Sequence, residues 1–134
     1  DHGDVLRVGR ERLMVIATPG HTPGCVSYLW RDRVFTGDAL LIGGCGRTDL
    51  PGSDPGRLYD SLVRQLLTLP DETLVYPGRT SGNRRVSCVG EEREHNPCVT
   101  GRSRDEFVAL MERSGGSAAR SSNSGAVATG AQAA

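Results

Sequence analysis

One histidine and one aspartate lie on two short loops that are rich in conformationally restricted residues. His21 sits in the middle of a Pro- and Gly-rich turn at residues 17–25, directly after the apolar run at 13–16. Asp38 follows Gly37 at the end of a second short apolar run at 34–36. An imidazole and a carboxylate on rigid loops are typical ligands of a protein-bound metal ion. Proline limits the backbone of such loops, and glycine permits turns that a Cβ would block.

The elements between these two residues predict that they are neighbours. Residues 26–30 alternate and are rich in strand-forming types, a polar turn follows at 31–33, and residues 34–36 return as a second strand. His21 precedes the first strand of this hairpin and Asp38 follows the second. In an antiparallel pair those positions meet at one edge of the sheet. The alternatives are a solvated turn histidine and an ordinary loop carboxylate.

The composition excludes several classes of function. The chain has 134 residues and a formal net charge of zero, with 16 basic and 16 acidic residues. Every basic residue is arginine, and these are scattered rather than arranged in a stripe with aromatic residues, so we expect no nucleic-acid partner. No apolar run approaches the length of a membrane span, so we expect no membrane partner. A chain of this length predicts one domain.

The sequence divides into a folding unit at residues 1–113 and a tail at 114–134. The tail consists almost entirely of Ser, Gly, Ala, Asn, Thr and Gln, a composition that cannot bury enough surface to offset its ordering entropy. We therefore predict that it is disordered. The four cysteines show no C-x-x-C spacing, which favours free thiols in a reducing compartment over disulfides or a zinc site.

The order of the remaining elements predicts an α/β fold. A hairpin is expected over residues 5–17, with His2 on the surface before it, and a flexible loop over 43–46. A helix over 57–69 has Leu58, Leu62 and Leu66 on one face and ends at Pro70. A short strand at 73–76 and a helix around 90–94 follow. Ser103 and Glu106 form a capping box for a last helix that ends near residue 113.

Several motifs in register resemble one branch of the metallo-β-lactamase superfamily, the persulfide dioxygenases. They are TPGHTPGC at 18–25, FTGDALLI at 35–42, GCGRTD at 44–49, LVYPG at 74–78 and EEREHNP at 91–97. The resemblance implies a partial αββα sandwich of which this chain is the C-terminal half. It implies oxidation of glutathione persulfide to sulfite and glutathione, in the cytoplasm or, for a eukaryotic source, the mitochondrion. It also allows a homodimer.

The resemblance assigns roles to three residues. His21 and Asp38 match two of the three ligands of a single Fe(2+), with Zn(2+) as the alternative ion. The third ligand belongs to an upstream His-x-His-x-Asp-His motif that this sequence does not contain, so we expect the chain to be inactive by itself. Arg47 matches a contact for a glutathione carboxylate, and a structural pair with Asp49 or Asp38 is its alternative.

Two positions depart from the family pattern. Arg79 and Ser81 stand where the family has a histidine and a tyrosine. An arginine cannot donate a lone pair to a metal, and its charge repels a second cation, so a site with two metals is disfavoured. The missing tyrosine weakens the dioxygenase interpretation. The alternatives are a zinc thioester hydrolase of the glyoxalase II type and a remnant of the fold without activity.

Overall fold

A computed structural model describes residues 1–80 and 82–117 of this chain. The replacement at Ser81 and most of the predicted tail, residues 118–134, lie outside the described residues. Within the described part, six strands come first, followed by a helix, two further strands and two further helices. The strands are β1 Val5–Val8, β2 Glu11–Ala17, β3 Val26–Trp30, β4 Arg33–Gly37, β5 Leu40–Leu41, β6 Gly44–Cys45, β7 Leu74–Pro77 and β8 Ser87–Cys88.

Six of these strands form one sheet in the order β1-β2-β3-β4-β7-β8. All neighbours are antiparallel except β4 and β7, which run in parallel. β5 and β6 pair separately as a small hairpin, with Leu40 opposite Cys45. The prediction of a flexible loop over residues 43–46 was therefore wrong, because two residues on each side of a Gly turn suffice to pair. The predicted hairpin over residues 5–17 is confirmed.

The helix predicted over residues 57–69 is observed over residues 55–66, and its second half has π-helical instead of α-helical hydrogen bonds. Helix α1 spans Pro55–Asp60, with the Asp54 side chain accepting a hydrogen bond from the Arg57 N–H as its N-cap. It continues as a π-helical segment over Ser61–Leu66. A π-helical turn closes at its end, where the Leu67 N–H donates to the Leu62 carbonyl five residues earlier.

The other two helices match their sequence signals. Helix α2 spans Val89–His95, and helix α3 spans Arg104–Ser117, four residues longer than expected. The capping box is confirmed, since the Glu106 N–H donates to Ser103 Oγ and the Ser103 N–H donates to the Glu106 carboxylate. No helix in the described ranges combines the length and apolar character of a membrane span.

The helices cover one face of the sheet. The register aligns Leu29, Val34 and Val75 across three strands on that face. They belong to the same core as the fully buried residues Leu58, Leu62, Leu66, Val89 and Phe107. The predicted leucine face is therefore confirmed, and the observed elements confirm the α/β class.

The opposite face of the sheet is lined by aromatic side chains that stay partly exposed. Tyr28, Phe35 and Tyr76 are aligned across β3, β4 and β7, and the rings of Phe35 and Tyr76 lie 5.7 Å apart. Leu6 and Val8 of β1, the strand at one edge of the sheet, are also exposed. Half of a two-sheet sandwich is expected to have this distribution, with one face packed against helices and one face aromatic.

Candidate metal centre

The His21 loop is held by the beginning of helix α1. The Gly20 carbonyl accepts from the Asp54 N–H at 2.7 Å, and the His21 carbonyl accepts from Ser53 Oγ at 2.7 Å. Gly20 has a φ of 139°, and a Cβ at this position would lie 2.3 Å from the Leu58 backbone. Glycine is therefore required where the loop crosses the helix.

The Asp38 turn is fixed by a buried threonine. Thr36 Oγ1 donates to the Leu40 carbonyl at 2.7 Å, and the Ala39 N–H donates to the Thr36 carbonyl at 3.1 Å. Gly37 occupies the left-handed region with a φ of 54°. These contacts leave Asp38 at the tip of the turn, with its side chain 43% exposed.

The structure brings the His21 ring and the Asp38 carboxylate together. His21 Nε2 lies 3.8 Å from Asp38 Oδ2, so the predicted proximity of the two loops is confirmed. On the other side of the ring, Nδ1 lies 2.8 Å from the Arg47 carbonyl oxygen. A carbonyl can only accept, so Nδ1 carries the proton, and in the neutral ring Nε2 presents a lone pair towards Asp38.

This arrangement fits a shared cation. Two electron-pair donors face each other at a distance too long for a hydrogen bond. Donor atoms bound to one ion at about 2.1 Å and at roughly 90 to 110° lie about 3.0 to 3.4 Å apart, so a small side-chain rotation would suffice. A metal-binding histidine commonly donates its other N–H to a backbone carbonyl, as His21 does here.

The close approach of β6 to His21 depends on Gly46. A Cβ on Gly46 would lie 2.4 Å from the Asp38 carbonyl oxygen and 2.9 Å from His21 Cβ and Cγ. The Gly46 N–H also donates to the Ala39 carbonyl at 3.1 Å. Glycine at this position therefore lets both loops and the Arg47 carbonyl meet, a function that the sequence analysis did not assign.

Arg79 enters the site from the parallel neighbour of β4. The Gly78 N–H donates to the Gly37 carbonyl at 2.7 Å, which places the end of β7 beside the Asp38 turn. Arg79 Nε lies 3.4 Å from Asp38 Oδ1. Asp38 therefore faces an imidazole on one oxygen and a fixed cation on the other.

Arg47 forms one of the structural pairs that stood as the alternative to substrate binding. Its Nε and Nη2 donate to the two carboxylate oxygens of Asp49 at 2.6 and 2.9 Å. These hydrogen bonds, and then the charge of Asp49, raise the pKa of Arg47. The side chain is still 53% exposed. Its carbonyl, rather than its guanidinium, contacts His21.

The other two histidines do not join this site. His2 is exposed, as predicted, and its Nδ1 accepts from the Ala17 N–H at 3.1 Å. His95 Nε2 lies 4.0 Å from Glu94, with both side chains exposed. Within residues 1–80 and 82–117, no group of three or more His, Cys, Asp or Glu side chains could hold a metal ion. The described residues therefore provide two ligands at most.

A buried carboxylate that the sequence analysis missed supports the β5–β6 hairpin. Glu92 accepts from Ser87 Oγ at 2.6 Å, from Asn96 Nδ2 at 2.9 Å and from the Gly43 N–H at 3.0 Å. Glu92 and Asn96 are almost fully buried. Their spacing of four residues, which places both on one face of α2, was the available signal.

Comparison with known proteins agrees with this architecture. A family description, "Metallo-beta-lactamase superfamily", matches residues 1–79. The mitochondrial persulfide dioxygenase ETHE1 of Homo sapiens is 47% identical over 113 residues, covering 83% of this chain and 44% of that protein. The crystal structure of ETHE1 from Myxococcus xanthus is 57% identical with a TM-score of 0.82, covering 84% of this chain and 50% of the other.

A second solved structure, of a less similar protein, contains iron. TTHA1623 was crystallised in a di-iron-bound form, and it is 40% identical with a TM-score of 0.60, covering 72% of this chain and 46% of the other. The chain spans about half the length of the curated relatives it matches. From the family match and the shared partial fold, this chain belongs to the metallo-beta-lactamase superfamily, as a member similar to the ETHE1 persulfide dioxygenases.

Proposed function

We propose that this chain contributes two ligands to the iron centre of a persulfide dioxygenase. The reaction would convert glutathione persulfide, dioxygen and water into glutathione and sulfite. The main support is the His21–Asp38 pair, in which an imidazole lone pair and a carboxylate face each other at 3.8 Å. The likeness to two ETHE1 proteins supports the choice of reaction.

The proposed ion is a single Fe(2+) held by His21, Asp38 and one further histidine. The described residues hold no third ligand, so we propose that it comes from another segment of the protein or from a partner chain. Two histidines and one carboxylate form a facial set that leaves open positions. When bound, ferrous iron in such a set supplies sites for dioxygen and for the persulfide sulfur.

Residues of this chain would prepare that site before the metal binds. The Arg47 carbonyl accepts the Nδ1 proton of His21, so in the neutral ring the lone pair of Nε2 is free for a metal ion. Arg79 Nε keeps one Asp38 oxygen engaged at 3.4 Å and leaves the other towards His21. Asp38 would therefore bind the ion through one oxygen.

Arg79 also favours one metal over two. Its guanidinium lies against Asp38, where a second dication would need the same carboxylate, and its positive charge would repel that ion. This observation disfavours the zinc thioester hydrolase of the glyoxalase II type. Two zinc ions per chain in elemental analysis would favour that hydrolase over the dioxygenase. A remnant without activity would bind no stoichiometric metal.

Arg47 remains the proposed contact for a carboxylate of glutathione. Asp49 would hold its guanidinium in place, and the Arg47 side chain is half-exposed. The carbonyl of the same residue contacts His21, so Arg47 lies next to the proposed metal site. A guanidinium can hold a carboxylate through two parallel hydrogen bonds. We propose no nucleic-acid partner. By analogy with the human relative, we propose a mitochondrial location for a eukaryotic source and a cytoplasmic one otherwise.

Oxygen consumption tests this proposal. The protein for the assay is a version of this chain that carries the other half of the fold, loaded anaerobically with Fe(2+). We expect oxygen uptake and sulfite release with glutathione persulfide, and loss of both in His21→Ala and Asp38→Ala. Absence of uptake in the iron-loaded parent protein would refute the dioxygenase assignment.

A further inference from the structure

The β5–β6 hairpin lies between two residues of the proposed metal centre. Asp38 stands two residues before β5, and Arg47 stands two residues after β6. The Gly46 N–H donates to the Ala39 carbonyl at 3.1 Å, which ties the two ends of the hairpin together. The base of the hairpin therefore carries both the Asp38 carboxylate and the Arg47 carbonyl, whose oxygen lies 2.8 Å from His21 Nδ1.

A hairpin this short needs support from the rest of the molecule. Each of its strands has two residues, and an isolated two-stranded hairpin is at best marginally stable in water. Leu40 anchors β5, because its side chain is fully buried in the core. Gly43, in the turn, and Gly44, at the start of β6, have no side chain to pack. These two residues can therefore be held only through their backbone.

Two buried side chains, Glu92 in α2 and Asn96 at its end, hold that backbone. Glu92 Oε1 accepts from the Gly43 N–H at 3.0 Å, and Asn96 Nδ2 donates to the Gly44 carbonyl at 3.0 Å. Asn96 Nδ2 also donates to Glu92 Oε1 at 2.9 Å, so the two side chains form one clamp on the turn. Both are almost fully buried, where hydrogen bonds are electrostatically stronger than in water.

The second carboxylate oxygen of Glu92 contacts a different element. Ser87 Oγ, in β8, donates to Glu92 Oε2 at 2.6 Å, and Ser87 is also buried. Glu92 therefore joins the last strand of the sheet to the turn of the hairpin, with one oxygen for each. The contribution of each oxygen can be tested separately.

We propose that Glu92 and Asn96 are positioning residues for the His21 site. By holding the turn of the β5–β6 hairpin, they fix the segment that brings the Arg47 carbonyl to His21. That carbonyl accepts the Nδ1 proton, so in the neutral ring the lone pair of Nε2 is free for a metal ion. The tautomer is a property of the metal-free chain, whereas the consequence for metal affinity rests on the proposed iron centre.

The ¹⁵N chemical shifts of the histidine rings test this proposal. The protein is the version that carries the whole fold, prepared without metal and measured at a pH where the His21 ring is neutral. We expect the proton on Nδ1 in the parent, and two shifts that approach each other in Glu92→Ala, because the ring then populates both tautomers. In anaerobic titrations with Fe(2+), the same variant should bind the ion about tenfold more weakly.

Glu92→Gln and Ser87→Ala are the matched controls. The amide of the glutamine variant can still accept from the Gly43 N–H, and its NH₂ group can donate to Ser87 Oγ, so the parent tautomer should be retained. Ser87→Ala removes only the contact to Glu92 Oε2. It should lower the stability towards urea, but it should keep the tautomer and the Fe(2+) affinity of the parent.

Asn96→Ala keeps the proposal open to refutation if Glu92→Ala does not fold. It removes the hydrogen bond to the Gly44 carbonyl and leaves Glu92 two of its three donors, and it should change the His21 tautomer in the same direction. An unchanged tautomer in either folded variant, or an equal change in Ser87→Ala, would overturn the proposal. Absence of oxygen uptake by the iron-loaded parent would refute the dioxygenase assignment alone.

Discussion

Replacing Gly46 with alanine should disturb the His21 site without removing any of its ligands. The added Cβ would lie 2.4 Å from the Asp38 carbonyl oxygen and 2.9 Å from the His21 ring, where ordinary contacts begin at 3.4 Å. The two loops must therefore separate by about 0.5 to 1 Å, and overpacking of this kind typically costs about 1–3 kcal/mol. We expect the free energy of unfolding to fall by about 2 kcal/mol.

Gly44→Ala is the matched control for this change. Gly44 lies in β6, two residues before Gly46, and the nearest atom to its added Cβ is Leu41 Cβ at 4.0 Å. Losing glycine there should leave stability unchanged or raise it by about 0.5 kcal/mol, because the unfolded chain loses freedom. Urea unfolding followed by the fluorescence of the single tryptophan measures both variants.

The His21 ring provides a second and more local measurement. The ¹⁵N chemical shifts of an imidazole distinguish a protonated nitrogen from one with a lone pair. In the parent chain we expect His21 to carry its proton on Nδ1, opposite the Arg47 carbonyl. In Gly46→Ala that preference should weaken, while Gly44→Ala should keep it. Equal stability and equal tautomers in the two variants would refute the packing argument.

Two further predictions concern the support of the fold. Glu92→Ala removes the acceptor of three donors. Buried Ser87 Oγ loses its partner, whereas Asn96 Nδ2 keeps its hydrogen bond to the Gly44 carbonyl, so urea unfolding should show a loss of about 2 kcal/mol. A loss below about 1 kcal/mol would contradict the buried network. Hydrogen bonds from Arg31 lower the pKa of Glu11 in the folded chain below its ordinary value. The stabilisation by this pair is therefore present at neutral pH, and it is lost as the pH falls through the lowered pKa. Denaturation of Glu11→Gln at several pH values should therefore show a deficit near pH 7 that disappears in acid; a deficit independent of pH would contradict this assignment.

The positions of His21 and Asp38 could be predicted because they depend on local signals. A hairpin with strand-forming residues on both sides of a polar turn brings the residues before and after it together, whatever the rest of the chain does. The capping box at Ser103 and Glu106 was equally local. The leucines of the helix after Pro55 showed their buried face through spacing alone, although not the π-helical winding.

The remaining features depend on contacts between distant parts of the chain. The Nδ1 partner of His21 is a backbone carbonyl 26 residues later, and any residue type would supply it. The Arg79–Asp38 pair requires β7 to lie parallel to β4, which the sequence did not specify. Gly46 could be read as a loop glycine, and only the structure shows that His21 occupies the space of its missing side chain.

The iron content of the protein tests the account most directly. The version that carries the whole fold is dialysed anaerobically against Fe(2+) and analysed for metal, alongside Asp38→Ala and the control Asp32→Ala. Asp32 lies in the turn at the other end of the same hairpin, where it pairs with Arg33. We predict one iron per chain in the parent and in Asp32→Ala, and essentially none in Asp38→Ala. Full iron content in Asp38→Ala would contradict the shared site.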